Sequence, residues 1–345
     1  MVKTIQITRE KDIENYLPSK ALESTMDMAL ALMRPLLLAG KPGTGKTDFG
    51  HWYVTNANKM KAEKGEETEF NNVFQFNTKS TSVYNDLFYV YDAVSHFRDK
   101  AGDKDISEFI TLTALGKAMV CAKGLKNIKE ARLKKIATNS QLDLKEAKPK
   151  SLVIIDEIDK APRDFPNDLL HEIEHLSFTI KETSPIITIE LNDEEKKNVI
   201  ILLTSNDEKN LPDAFLRRCL FHYIEFPEPI PLKKIILSKL LGRKLTIEEN
   251  KKIDNSEELN GFEGLNDKIE IFYKIFHNNS IEKKAYTAEC IQWINYLHGK
   301  KLLHLPLQDY QVTLSALLKK NEDFHEAVKM LKKMEADKLI AEKQV

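Results

Sequence analysis

The sequence predicts an α/β domain built on a parallel sheet, followed by a smaller all-helical domain. Three observations carry this reading. Short apolar runs recur along the first two thirds of the chain, stretches of helical periodicity separate most of them, and beyond residue 228 almost every segment reads as helix. The runs are Pro35–Ala39, Val73–Asn77, Leu152–Ile155 and Val199–Thr204, with a weaker fifth at His222–Phe226. Unbroken apolar runs of this length suit strands covered by helices on both faces, as in a parallel sheet.

The elements follow in order. Residues 19–33 alternate apolar and polar positions at helical spacing and lead into the first run. Between the third and fourth runs, 164–176 place Phe165, Leu169, Ile173 and Leu176 on one helical face. Ser177–Ile180 and Ile186–Leu191 alternate around Lys181–Pro185, the pattern of a β-hairpin over 177–191. Pro227, Pro229 and Pro231 stand at alternate positions and predict a stiff extended linker, since proline breaks a helix interior. The domain boundary therefore falls between an α/β domain of 1–227 and a helical domain of 228–345. In the latter, Ile269, Phe272, Tyr273 and Phe276 form one apolar stripe, and Phe324, Val328, Leu331 and Leu339 another.

Composition narrows the functional classes. With 42% apolar residues in 345, a sizeable core is expected and global disorder is excluded. The 52 basic and 53 acidic residues leave a formal charge of −1, so the chain as a whole exerts no pull on nucleic acid or an anionic membrane. Cys121, Cys219 and Cys290 are far apart and odd in number, which argues against a disulfide framework and suits a reducing compartment. No apolar signal core opens the sequence and no run reaches membrane-spanning length, so a soluble, cytoplasmic protein is expected. Residues 123–150 carry nine Lys/Arg against three acidic residues and read as a basic, largely helical, solvated arm. A surface for an acidic partner or nucleic acid is the alternative.

Two motifs carry chemistry. Gly40-Lys41-Pro42-Gly43-Thr44-Gly45-Lys46-Thr47 completes GxxxxGK[ST] between an expected buried strand and an expected helix. The glycines let backbone N–H groups turn inward against phosphate oxygens, and the helix adds the positive end of its dipole. Lys46 would reach the β- and γ-phosphates of ATP, and the Thr47 hydroxyl would ligate Mg²⁺. The second motif is Asp156-Glu157, at the end of the Leu152–Ile155 run, on the strand edge where open α/β sheets bind ligands. Asp156 would hold Mg²⁺ through water, and Glu157 would activate the water that attacks the γ-phosphate. Read alone, such an acidic pair also suits a helix N-terminus.

The continuation Asp156-Glu157-Ile158-Asp159-Lys160-Ala161, with Asn206 closing Leu203-Thr204-Ser205-Asn206, resembles the AAA+ ATPases. So does Leu211–Cys219, where those proteins present arginines to a neighbouring subunit. Within that group the chain is most similar to the MoxR branch. The similarity rests on Arg34–Leu38, on Phe76-Asn77-Thr78 with Asn85-Asp86-Leu87, on Phe165–Leu170, and on Leu216–Cys219 with His222-Tyr223-Ile224. It spans roughly residues 16–227 and continues more weakly into the helical lid at Tyr286–Glu289 and Trp293. The resemblance implies an AAA+ core with a lid, and Asn206 as the sensor-1 amide. It further implies Arg217 or Arg218 as a trans-acting finger in a homo-oligomeric ring, most often a hexamer. A protein client and a von Willebrand factor A-type partner are further implications, with a nucleic-acid-directed motor or defence component as the alternative. A sensor-2 arginine has no counterpart here, although Lys283 and Lys284 stand near its place. His171-Glu172-Ile173-Glu174-His175 also spells HExxH, the zinc-protease pattern. It lacks a third ligand at a familiar spacing and lies inside a helix the family pattern explains, so it reads as surface or subunit contact.

Overall fold

The computed structural model describes residues 13–99, 104–124, 127–142 and 150–342. The chain divides into two compact units, one of Pro18–Gly40 and Lys46–Ile224, the other of Met1–Leu17, Lys41–Gly45 and Glu225–Val345.

The first unit opens with α1 (Lys20–Leu32), whose N-cap Ser19 accepts the Leu22 N–H at 3.1 Å and so satisfies a donor the helix cannot. There follow β1 (Leu36–Gly40), α2 (Lys46–Glu63) and β2 (Phe70–Asn77). Next come β3 (Tyr89–Tyr91), α3 (Ala93–Arg98), β4 (Ile110–Leu112), α4 (Ala114–Lys123) and α5 (Ala131–Asn139). The unit continues through β5 (Lys150–Asp156), α6 (Asp164–His175), β6 (Ser177–Ile180) and β7 (Ile187–Glu190). It closes with α7 (Asp193–Lys196), β8 (Val199–Ser205), α8 (Asp213–Leu216) and β9 (Leu220–Ile224).

Five strands form one sheet in the order β2-β5-β8-β1-β9, every neighbouring pair parallel. The expected parallel sheet with flanking helices is thus present. Register sets Leu37 beside Leu203 and Ile154 beside Leu202, so the apolar runs meet side by side. β1 and β8 are buried along their whole length. Each fully buried Leu or Ile contributes about 1.5–3 kcal/mol, which explains why these strands tolerate so few polar residues. Val153, Ile155 and Leu203 face Ala118, Met119 and Leu169 in a common core. The small sheets β3–β4 and β6–β7 are both antiparallel.

The second unit is helical: α9 (Pro229–Leu241), α10 (Ile247–Asp254), α11 (Leu265–His277), α12 (Thr287–Gly299), α13 (Leu307–Tyr310) and α14 (Asn321–Glu342). Its core gathers Leu232, Ile236, Phe272, Trp293 and Leu314. The extended linker expected through Pro231 is corrected here, because Pro229 and Pro231 lie in the first turn of α9. The first helical bond runs from the Leu232 N–H to the Glu228 carbonyl at 2.9 Å. Residues before it need no N–H, so proline there breaks nothing. Ile269 and Phe272 are buried as their stripe requires, and Phe226 stacks on Phe276 with ring centroids 4.3 Å apart. The side chain of Leu339 lies outside the described residues, as do 125, 126 and 143–149 of the expected basic arm.

Candidate functional site

In the sheet order, β8 lies between β1 and β5, so the C-terminal ends of all three stand side by side. From the end of β1 the chain turns through residues 41–45 into α2. Gly43 and Gly45 have φ of +75° and +83°, in the left-handed region that costs any residue with a Cβ. Lys41 and Pro42 complete the loop, and the Thr44 hydroxyl closes it on the Lys41 carbonyl at 2.9 Å. Lys46, the first residue of α2, is buried, and its ammonium donates to the Gly40 carbonyl at 2.8 Å.

Asp156 joins three strands. Its Oδ1 accepts from the Thr47 hydroxyl at 2.8 Å and from the Thr204 hydroxyl at 2.5 Å, while Gln75 Nε2 donates to its Oδ2 at 3.3 Å. The Thr204 oxygen in turn accepts the Glu157 N–H at 2.9 Å. Glu157 leaves β5 with φ +56°, a left-handed conformation unusual for a residue with a side chain. Such strain is found where surrounding structure over-determines a functional position. Its Oε1 accepts from Asn206 Nδ2 at 2.9 Å, and its Oε2 pairs with Lys160.

These contacts set the charge states. Burial pulls the Lys46 ammonium below its ordinary value, while the carboxylates of Asp159, Asp156, Glu157 and Glu208 oppose that pull. Burial works to raise Glu157, but hydrogen bonds from Lys160 and Asn206 and the charges of Lys160 and Lys46 outweigh it. Its carboxyl therefore sits below the ordinary value. An ionised carboxylate beside a buried cation is an arrangement that can accept a proton from water near a phosphate. For Mg²⁺, a hard ion that takes oxygen donors, the Thr47 hydroxyl and Asp156 carboxylate fit in kind and already lie within hydrogen-bond reach of each other.

Of the sequence-expected residues, Lys46, Thr47, Asp156, Glu157 and Asn206 come together. Arg217 and Arg218 do not join that group by any hydrogen bond or ion pair among the described residues. Both are exposed at the end of α8. Arg218 pairs with Glu174 at 3.2 Å and donates to the Ala214 carbonyl at 3.0 Å. Arg34 clamps the same turn, with Nε on the Arg218 carbonyl at 3.1 Å and its Nη2 on the Arg217 and Cys219 carbonyls. Within the HExxH pattern, His175 is exposed, Glu174 is the partner of Arg218, and the His171 side chain lies outside the described residues. In the helical unit, Lys284 donates to the Asn278 carbonyl.

Sequence reasoning missed Thr204, Gln75 and Lys160 as members of the site. The available signal was a hydroxyl closing an apolar strand next to the one bearing the carboxylates, and an amide inside an apolar strand on the other side.

A phosphate-binding loop after β1 and a carboxylate pair at the end of β5, on a parallel sheet of this order, define a P-loop nucleotide-binding protein. Residues 36–228 match the ATPase family associated with various cellular activities (AAA), more than half of the chain, and the chain belongs to that family. Nucleotide binding and ATP hydrolysis are the general chemistry of such a domain. No curated protein matches the chain. Among solved structures, that of C. elegans PCH-2 is similar at 16% identity, covering 87% of this chain and 73% of that one, with a TM-score of 0.39. No helix among the described residues is long and apolar enough to cross a membrane.

Proposed function

We propose that the chain is a Mg²⁺-dependent AAA+ ATPase of the MoxR type that assembles into a homo-oligomeric ring and remodels a protein client. The observation that carries this reading is the convergence of Lys46, Asp156, Glu157 and Asn206 at one strand edge, through bonds that leave Glu157 ionised. Lys46 and the loop N–H groups bind the phosphates of ATP. Thr47 and Asp156 hold Mg²⁺, which supplies charge neutralisation at the β- and γ-phosphates when bound. Glu157 takes the proton of the attacking water, and the Asn206 amide orients that carboxylate. The α/β domain of 1–227 bears the site, and 228–345 acts as its lid.

Arg217 is the residue that completes a neighbour's site. Arg218 shares a solvent-exposed pair with Glu174, whereas the Arg217 side chain is exposed and has no partner among the described residues, and its main chain is clamped by Arg34. A finger acting in trans must be free in the isolated subunit and firmly based. The sharing of each site between subunits requires a closed head-to-tail ring, for which six subunits is the expectation. A von Willebrand factor A-type protein is the expected partner, and the cytoplasm the expected location.

Native mass of Glu157→Gln with and without Mg-ATP tests the shared site. The expected result is a shift from one subunit to about six. Arg217→Ala is expected to keep ATP affinity and lose roughly 10³-fold or more in turnover, with Arg218→Ala losing far less. A chain that binds ATP and stays monomeric contradicts the ring. ATP turnover that responds to DNA or RNA in a salt-sensitive way would move the client from protein to nucleic acid.

A further inference from the structure

The carboxylate pair is followed by a third acid, Asp159, whose surroundings differ from those of its neighbours. It lies in a short 3₁₀ turn, Ile158–Lys160, and is only 3% exposed. Its Oδ2 accepts two backbone N–H groups, those of Asn206 and Glu208, each at 3.1 Å. Those two N–H groups flank Asp207, which stands at φ +62° with its own N–H on the Ser205 hydroxyl at 3.1 Å. The end of β8 thus makes a tight, strained turn stapled to the 3₁₀ turn after β5 by one buried carboxylate oxygen. The second oxygen, Oδ1, is buried with no hydrogen-bond partner.

A buried carboxylate is costly unless its bonds repay it, and bonds to an ionised acceptor are about twice as strong as neutral ones. A simple fold-stabilising contact here would be served by an amide or a hydroxyl at smaller cost. What the carboxylate achieves is directional. The N–H it holds belongs to Asn206, and the side chain of that same residue donates to Glu157 at 2.9 Å. With Glu157 two residues before Asp159, the chain closes a ring of contacts: Glu157 to the Asn206 amide, the Asn206 N–H to Asp159, and Asp159 back along the turn to Glu157.

We infer that Asp159 is a positioning residue for hydrolysis, which fixes the Asn206 main chain so that its amide holds the Glu157 carboxylate in line for the attacking water. This rests on the roles proposed for Glu157 and Asn206 and adds a residue to them. Asp159 acts on hydrolysis through Asn206; its charge also faces Lys46, so the inference is read from turnover at saturating Mg-ATP.

The test is a double-mutant cycle with ATP affinity measured alongside turnover. Asp159→Asn keeps size and shape and weakens the acceptor. It is expected to lower kcat about tenfold at saturating Mg-ATP, whatever change in Kd follows from the lost charge near Lys46. Asp159→Ala is expected to lower it further, with Asp159→Asn lying between it and the unaltered chain. In an Asn206→Ala background, neither substitution is expected to slow turnover again, because the group it positions is gone. Unchanged turnover by Asp159→Asn overturns the inference, as does a loss that multiplies in the Asn206→Ala background, or one confined to Kd. If Asp159→Ala fails to fold, the cycle with Asp159→Asn alone decides. Normal turnover by Asn206→Ala would instead overturn the role proposed for Asn206 itself, and is thereby distinguishable.

Discussion

The two ends of the same parallel strands are built on opposite rules. At the N-terminal edge, where β5 and β8 begin, charges sit in pairs at the surface: Lys150 with Glu69 at 2.5 Å, Lys196 with Asp193 at 3.7 Å, Lys197 with Glu194 at 2.6 Å. A cleft of about 570 Å³ opens there, lined by these lysines with Arg34 and Pro35, and it holds none of the residues of the phosphate loop. At the C-terminal edge, polar groups share partners in a network bonded across strands. Lys46 is depressed by burial, Glu157 is strained in backbone and held ionised, and Asp156 collects bonds from β2, β8 and α2. Isolated solvent-reached pairs contribute little, whereas polar groups that share several partners fix one another's geometry and charge state. The difference teaches that the open cleft and the network of mutually bonded polar groups lie at opposite ends of the strands.

The comparison can be broken most severely at Lys46. Lys46→Ala is expected to abolish nucleotide binding in a calorimetric or fluorescence titration, since the phosphate charge loses its buried partner. Retained affinity would place the phosphates elsewhere. Thr204→Val comes next. It removes one donor from Asp156 and strands the Glu157 N–H, so a loss of about 1–3 kcal/mol in denaturant unfolding is expected. Turnover is expected to fall roughly 10- to 100-fold through misplacement of both carboxylates. Equal stability and turnover would make the threonine a bystander.

A smaller effect is expected from Lys160→Ala, read as a pH profile. Glu157 is depressed in the folded chain, so its ionised form persists until pH falls through that lowered value. Its contribution to stability is likewise present above the unfolded value and lost on acidification through the folded one. Without Lys160 the carboxyl rises, and the acid limb of kcat is expected to move to higher pH, while the neutral plateau stays in place. An unmoved limb would show that Asn206 and Lys46 set the charge without it. The smallest effect belongs to the opposite edge, where Lys197→Ala is expected to change stability by less than about 0.5 kcal/mol and turnover not at all.

Much of this was legible in the sequence, for identifiable reasons. Apolar runs as dense as Leu36–Ala39 and Val199–Leu203 have few alternatives to a strand buried on both faces, and GxxxxGK[ST] needs consecutive residues only. The segment with β3, β4 and α4 was not legible. Its strands are three residues long, too short for periodicity to register, and their pairing joins residues about twenty positions apart. The first turn of α9 was misread because proline is a breaker in a helix interior and harmless at its start, and the sequence does not say where a helix starts. The hydrogen bonds of Gln75, Thr204 and Asp159 were hidden for a third reason. They are assembled from the ends of three strands and a turn, so no local spacing carries them.

The central claim, that this strand edge hydrolyses ATP with Glu157 as base, is tested most directly by one pair of numbers on Glu157→Gln: the Kd for Mg-ATP and the rate of phosphate release. The substitution keeps the shape and the bond to Asn206 while removing the proton acceptor. The account predicts a Kd close to that of the unaltered chain and a rate lower by roughly 10²–10⁴-fold. Turnover at the normal rate would contradict it and move the base to another residue.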